Sequence, residues 1–249
     1  MVDLALTLGA VVGVLLSAGF VYWEVGRYAA PQVPESRFDE RKEMLSYTAG
    51  LFVGVPLAVC LLFLFSSIPP FAIGGIALYL ALLVGGTELA QWLTLRSVYF
   101  GRDGAGPFYA LGLRAGIGGI LALALVAQYL SGPTLTALGL AVPIAVSLAI
   151  IALEGVGAVL SLPAKGPRPV RRGGPTSGIP IALVGFFFLG YAQTFDPPIA
   201  IAAALVVAVG AFWLYRSVAP EALERVARTA PGLEEGGEAS SSAFRRTDR

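Results

Sequence analysis

The chain has 249 residues, of which 56% are apolar and 13% charged, about half the charged share of roughly 25% usual in soluble domains. It has no histidine and a single cysteine, Cys60. That excludes His-dependent triads, haem held by His, mixed Cys/His zinc sites, internal disulfides and CxxC chemistry. So apolar a composition reads as an all-α integral membrane protein.

A bilayer core of about 30 Å takes roughly 20 apolar residues as helix. Seven stretches qualify, at about 4–23, 46–67, 71–95, 107–130, 134–162, 179–195 and 198–215. The first lacks a basic start, and its apolar run is too long for a cleaved signal, so it reads as a true span. Before the second, residues 35–45 are charged, and Ser36 with Asp39 forms a capping-box pattern that predicts a helix leading into the span. Pro56, Pro143 and Pro180 fall within spans and can kink them. The fifth span is long enough to tilt or to reach past the bilayer. The segment 163–178 is rich in Pro, Gly and Arg, a basic loop suited to anionic headgroups. After the seventh span, residues 220–229 predict a short surface helix. Gly232 to Arg249 is Gly, Ser and charge and is expected to be disordered. The organisation is thus a transmembrane domain over 1–218 and a cytoplasmic tail over 219–249.

Cation placement predicts the orientation. Sixteen of the seventeen Lys and Arg residues fall in the loops after spans one, three and five or at and beyond the end of span seven; the other, Arg114, lies inside span four. The opposite turns contain none. The positive-inside rule then places the N-terminus outside and the C-terminus in the cytoplasm of a multi-pass cell-membrane protein. Trp23, Trp92 and Trp213 all fall near the basic ends of spans, where indoles anchor at headgroup level.

A repeat is also readable. Ser17 and Glu24 in span one match Ser147 and Glu154 in span five, and spans three and seven end as Trp92-Leu93-Thr94-Leu95-Arg96 and Trp213-Leu214-Tyr215-Arg216. This suggests parallel three-helix units joined by span four, a 3+1+3 layout known among transporters.

Intramembrane ionisable residues are costly and point to function. Glu88, Arg114 and Glu154 each lie eight residues from the basic end of a span, about 12 Å in depth at 1.5 Å per residue. Glu24 marks the inner boundary. Arg114 is the expected partner of one carboxylate, which leaves the other free to titrate: the chemistry of proton coupling or cation binding. The same trio would serve as a structural clamp. Gln91 and Thr87 lie within a turn of Glu88 and could complete a polar pocket. Asp196 before Pro197 reads as a turn-former.

Seven spans with an outside N-terminus resemble microbial rhodopsins, but the only lysines, Lys42 and Lys165, read as loop residues, so a retinal lysine is missing. The 3+1+3 layout is similar to PQ-loop sugar transporters in topology only, because Pro31-Gln32 lies in a loop. No aspartate pair suits prenyl or CDP-alcohol transfer. No catalytic residue, metal site or cofactor is expected, and no nucleic-acid partner. Two functions follow as expectations. One is a small transporter or channel-like protein for an ion or small solute, using Glu88, Arg114, Glu154, Glu24 and Gln91. The other is a non-catalytic membrane subunit or scaffold that binds anionic lipid or a protein partner at its basic face. Homo-oligomers fit either.

Overall fold

In lipid every backbone polar group must be satisfied within the segment, which leaves long apolar sequences little choice but helix. The computed structural model describes residues 7–28, 39–67, 73–97, 99–100, 105–130, 136–160, 178–192 and 196–228, and all its regular structure there is helical. The helices are α1 (Thr7–Tyr28), α2 (Glu40–Ser67), α3 (Ile73–Leu80, Ala81–Gly85 and Gly86–Arg96), α4 (Gly106–Leu130), α5 (Ala137–Leu160), α6 (Gly178–Ala192) and α7 (Pro197–Arg228).

Six of these are long and apolar enough to cross a membrane: all but α6. As described, α6 has 15 residues, about 22 Å of helix, short of the roughly 30 Å hydrocarbon core. The expected run over 179–195 includes residues 193–195, outside the described residues.

Two boundaries differ from the sequence reading. α2 starts at Glu40, and the charged helix expected to lead into the second span is one continuous helix with that span. Asp39 itself caps it, its side chain accepting the Arg41 N–H at 2.9 Å, so the charged run belongs to the same helix. Lys42, read as a loop residue, is therefore helical. Ser36 lies outside the described residues. α7 continues through Pro220 to Arg228 without a break, and Leu223 is buried on the bundle. That apolar contact carries the helix past the residue where the span was expected to end. The turns around residues 69 and 132, the basic loop over 163–177, residues 193–195 and the tail beyond Arg228 lie outside the described residues.

α4 and α5 form the centre, with 72% and 78% of their apolar windows buried, against 22–33% for the other spans. Helices α1, α2, α3, α6 and α7 surround them. Small residues set the closest seams. Gly50 of α2 faces the Leu113 carbonyl of α4, and Gly116 of α4 faces the Tyr47 carbonyl of α2. A Cβ at either position would strike backbone, so these two helices approach as only glycine permits. Gly50 meets Leu113 and Gly54 meets Ile117, so α2 and α4 run parallel. Gly9 meets Leu123 and Gly13 meets Gly119, so α1 runs antiparallel to α4.

Two helices contain a π-turn, Val11–Leu15 in α1 and Ala81–Gly85 in α3. A π-turn widens the helix and loosens its carbonyl ladder. In each, a hydroxyl three residues on bonds back to it: Ser17 to the Val14 carbonyl and Thr87 to the Val84 carbonyl, both at 3.1 Å. The Val14 carbonyl also accepts the Tyr47 hydroxyl of α2 at 2.9 Å, and the Ser17 and Tyr47 hydroxyls lie 3.0 Å apart. Tyr47→Phe should destabilise the bundle by about 1 kcal/mol, read as a lower melting temperature in detergent. An unchanged melt would show that the π-turn needs no support from α2.

Candidate functional site

Arg114 of α4 is 1% exposed. Its three nitrogens reach three different groups: Nη1 donates to Oε2 of Glu154 on α5 at 3.2 Å, Nη2 donates to Oε1 of Glu88 on α3, and Nε donates to Oε1 of Gln91 on α3. One side chain thus ties the central pair of helices to α3. The spacing follows from helical geometry: Glu88 and Gln91 lie three residues apart on one face, so a single guanidinium fork spans both.

Glycine makes the room. Gly157 lies one turn after Glu154 on α5, and a Cβ there would strike Nη1 of Arg114. Gly118, one turn after Arg114 on α4, lies against the Glu154 stem. Neither carboxylate is equivalent to the other. Glu154 is 1% exposed, whereas the Glu88 side chain is 22% exposed. Glu154 Oε1 is buried and has no hydrogen-bond partner among the described residues. With both acids ionised the cluster holds two negative charges against one positive. The unpartnered Glu154 oxygen is the place in the cluster where a proton or a cation would lower the cost of burying charge.

An apolar cleft approaches the cluster from the opposite end of the bundle, between α2, α3, α4 and α5. Ala58, Leu61, Tyr79, Leu83, Leu121 and Ile150 line it. Ile150 is one helical turn from Glu154 on the same face, and the charge of Glu154 acts on the Tyr79 hydroxyl. Thr87 is buried but donates its hydroxyl to its own helix, so it does not complete the polar pocket.

Of the five residues expected to form a site, the structure brings Glu88, Gln91, Arg114 and Glu154 together and leaves Glu24 apart. Glu24 is buried at the C-terminal end of α1, 3.4 Å from Arg27. Beside it lie two groups the sequence reading passed over, Glu43 of α2 and Tyr215 of α7, both buried. The signal for Glu43 is spacing. Glu43, Tyr47, Gly50 and Gly54 recur at helical intervals and share the face that α4 covers. Asp196 is exposed, and its backbone carbonyl accepts the first amides of α7, from Ile199 and Ala200, each at 3.0 Å. Groups of three or more Asp, Glu, Cys or His residues arranged to hold a metal are absent among the described residues.

Comparison with known proteins returns nothing to lean on: no family model, no curated protein and no solved structure matches the chain.

Proposed function

We propose that the protein is a small multi-pass transporter of the cell membrane, moving an ion or a small solute by proton or cation exchange at Glu154 and Glu88. The observation that carries this reading is the buried Arg114 held between two carboxylates, with one Glu154 oxygen unpartnered. The apolar cleft lined by Leu83, Leu121 and Ile150 lies one helical turn from Glu154. The second carboxylate gives the cluster a group that can exchange a proton or a cation while Arg114 stays paired.

The proposal places seven spans in the bilayer, with α6 as the short one, the N-terminus outside and the C-terminal tail cytoplasmic. It assigns 1–218 to the membrane domain and 219–249 to the tail. Cation–π pairs mark the headgroup level at the basic end of the bundle. Arg27 lies 4.8 Å from the Trp23 ring and Arg96 lies 4.2 Å from the Trp92 ring, an arrangement suited to headgroup level. The 3+1+3 repeat draws less support. Ser17, Glu24, Ser147 and Glu154 are all buried, but α5 lies along α7 whereas α1 lies along α4.

The test is flux in proteoliposomes, with a trapped pH dye and imposed proton, sodium or potassium gradients. Wild type should dissipate one of these gradients. Glu154→Gln and Glu88→Gln should bring flux to the empty-liposome level while the melting temperature shows a folded protein. Normal transport by both variants would remove the mechanism. A wild type inert to every gradient would favour the second reading, a non-catalytic subunit or scaffold that binds anionic lipid or a protein at its basic loops.

A further inference from the structure

Glu43 stands near the N-terminus of α2, inside a run of charge, yet it is 0% exposed. Both its carboxylate oxygens are buried without a hydrogen-bond partner, and so is the Tyr215 hydroxyl. The Glu43 stem lies along Gly112 of α4, whose missing side chain leaves space for it. Across from it, Glu24 of α1 is 1% exposed and near enough for its charge to act on Glu43. The charges of Glu24 and Glu43 both act on the Tyr215 hydroxyl.

The charged and titratable groups around this pocket come from four helices. α1 brings Glu24, Arg27 and Tyr28; α2 brings Glu40 and Tyr47; α4 brings Tyr109; α7 brings Tyr215, Arg216 and Glu224. The cations serve Glu24. Arg27 pairs with it at 3.4 Å, and Arg216 acts on it from further off. Among the described residues, salt bridges join Arg27 to Glu24 and Arg114 to Glu88 and Glu154, and none reaches Glu43. Glu40, one turn back on the exposed side, adds a further negative charge. An ionised carboxylate buried without a counter-charge or a donor costs several kcal/mol, and such a group takes up a proton instead.

We propose that Glu43, with Glu24 and the Tyr215 hydroxyl, forms a proton-binding site separate from the Arg114 cluster. Binding makes one O–H bond on a Glu43 oxygen, with the proton supplied by hydronium from water at the Arg27 and Glu40 end of the bundle. With Glu43 neutral, the pocket then holds one carboxylate instead of two. Tyr215 is the neutral donor that completes it. Proton exchange follows from position: Arg27 and Glu40 are partly or fully exposed within a turn of the two acids. The proposal does not rest on the transport reading, since its residues come from α1, α2 and α7, whereas the Arg114 cluster joins α3, α4 and α5.

The experiment is an infrared pH titration of the full-length protein in lipid nanodiscs, following the C=O stretch of protonated carboxyl groups. Wild type should show a band at neutral pH that fades as pH rises. Glu43→Gln should lose it. Glu154→Gln should keep it, and Tyr215→Phe should shift its frequency. Glutamine copies the neutral acid in shape, so Glu43→Gln should melt at or above the wild-type temperature. Should that variant fail to fold, a Tyr215→Phe shift together with a band kept in Glu24→Gln identifies Glu43 in otherwise native protein. A band unchanged in Glu43→Gln or in Tyr215→Phe would overturn the assignment. So would a Glu43 band that never titrates while the protein stays folded, and so would loss of the band on adding sodium at fixed pH, which would make this a metal-cation site.

Discussion

Arg114→Ala is expected to destabilise the folded bundle by about 3–5 kcal/mol, the usual consequence of removing one partner from a buried ion pair. Two carboxylates would be left facing each other, Glu154 with no water to turn to, and the Gln91 amide would lose its donor. The loss should depend on the acids. In a Glu88→Gln, Glu154→Gln background the same substitution should cost far less, because no charge remains to be stranded. Unfolding in mixtures of dodecyl maltoside and SDS reads both numbers. Equal losses in the two backgrounds would mean that Arg114 acts through the volume of its side chain, and the electrostatic account of the cluster would be wrong.

The second large effect is expected at Gly116, where α4 meets α2. Gly116→Ala sets a methyl against the Tyr47 carbonyl and the Leu51 amide of α2. Backbone cannot rotate aside as a flexible side chain does. The two parallel helices must move apart, at a cost of about 1–3 kcal/mol or more. Gly210→Ala in α7 is the control, because a Cβ there meets nothing within 4 Å. It should be neutral or stabilising by up to about 1 kcal/mol, from helix propensity alone. Melting curves in detergent compare the two. If both variants behave alike, the α2–α4 seam is not the tight contact described.

The Arg114 cluster was legible before any coordinates because depth in a membrane is arithmetic. Glu88, Arg114 and Glu154 are each eight residues from the basic end of a span, and the one-turn offset to Gln91 is fixed by the helix. Glu24 shares that end of the bundle, but depth says nothing about azimuth, and its face of α1 turns toward α7 and not toward Arg114. Glu43 was missed for a related reason. Composition placed it in a solvated charged run, since Glu40, Arg41 and Lys42 precede it. Only the continuation of the helical period into Tyr47, Gly50 and Gly54 shows that this residue faces inward while its neighbours face out. The helix over 220–229 was readable, but its continuity with α7 was not, since that depends on Leu223 finding a buried place.

The position of α3 has a consequence for how the chain is made. It is the least apolar of the six membrane-length helices, and its packing on neighbouring helices is sparse; much of its hold on the centre is the pairing of Glu88 and Gln91 with Arg114. That partner is synthesised later, in α4, and Glu154 later still, in α5. A ribosome that has just finished α3 therefore presents the translocon with a carboxylate whose counter-charge does not yet exist. Stable membrane integration of α3 is then expected to be a delayed event, completed only once α4 has followed it into the bilayer.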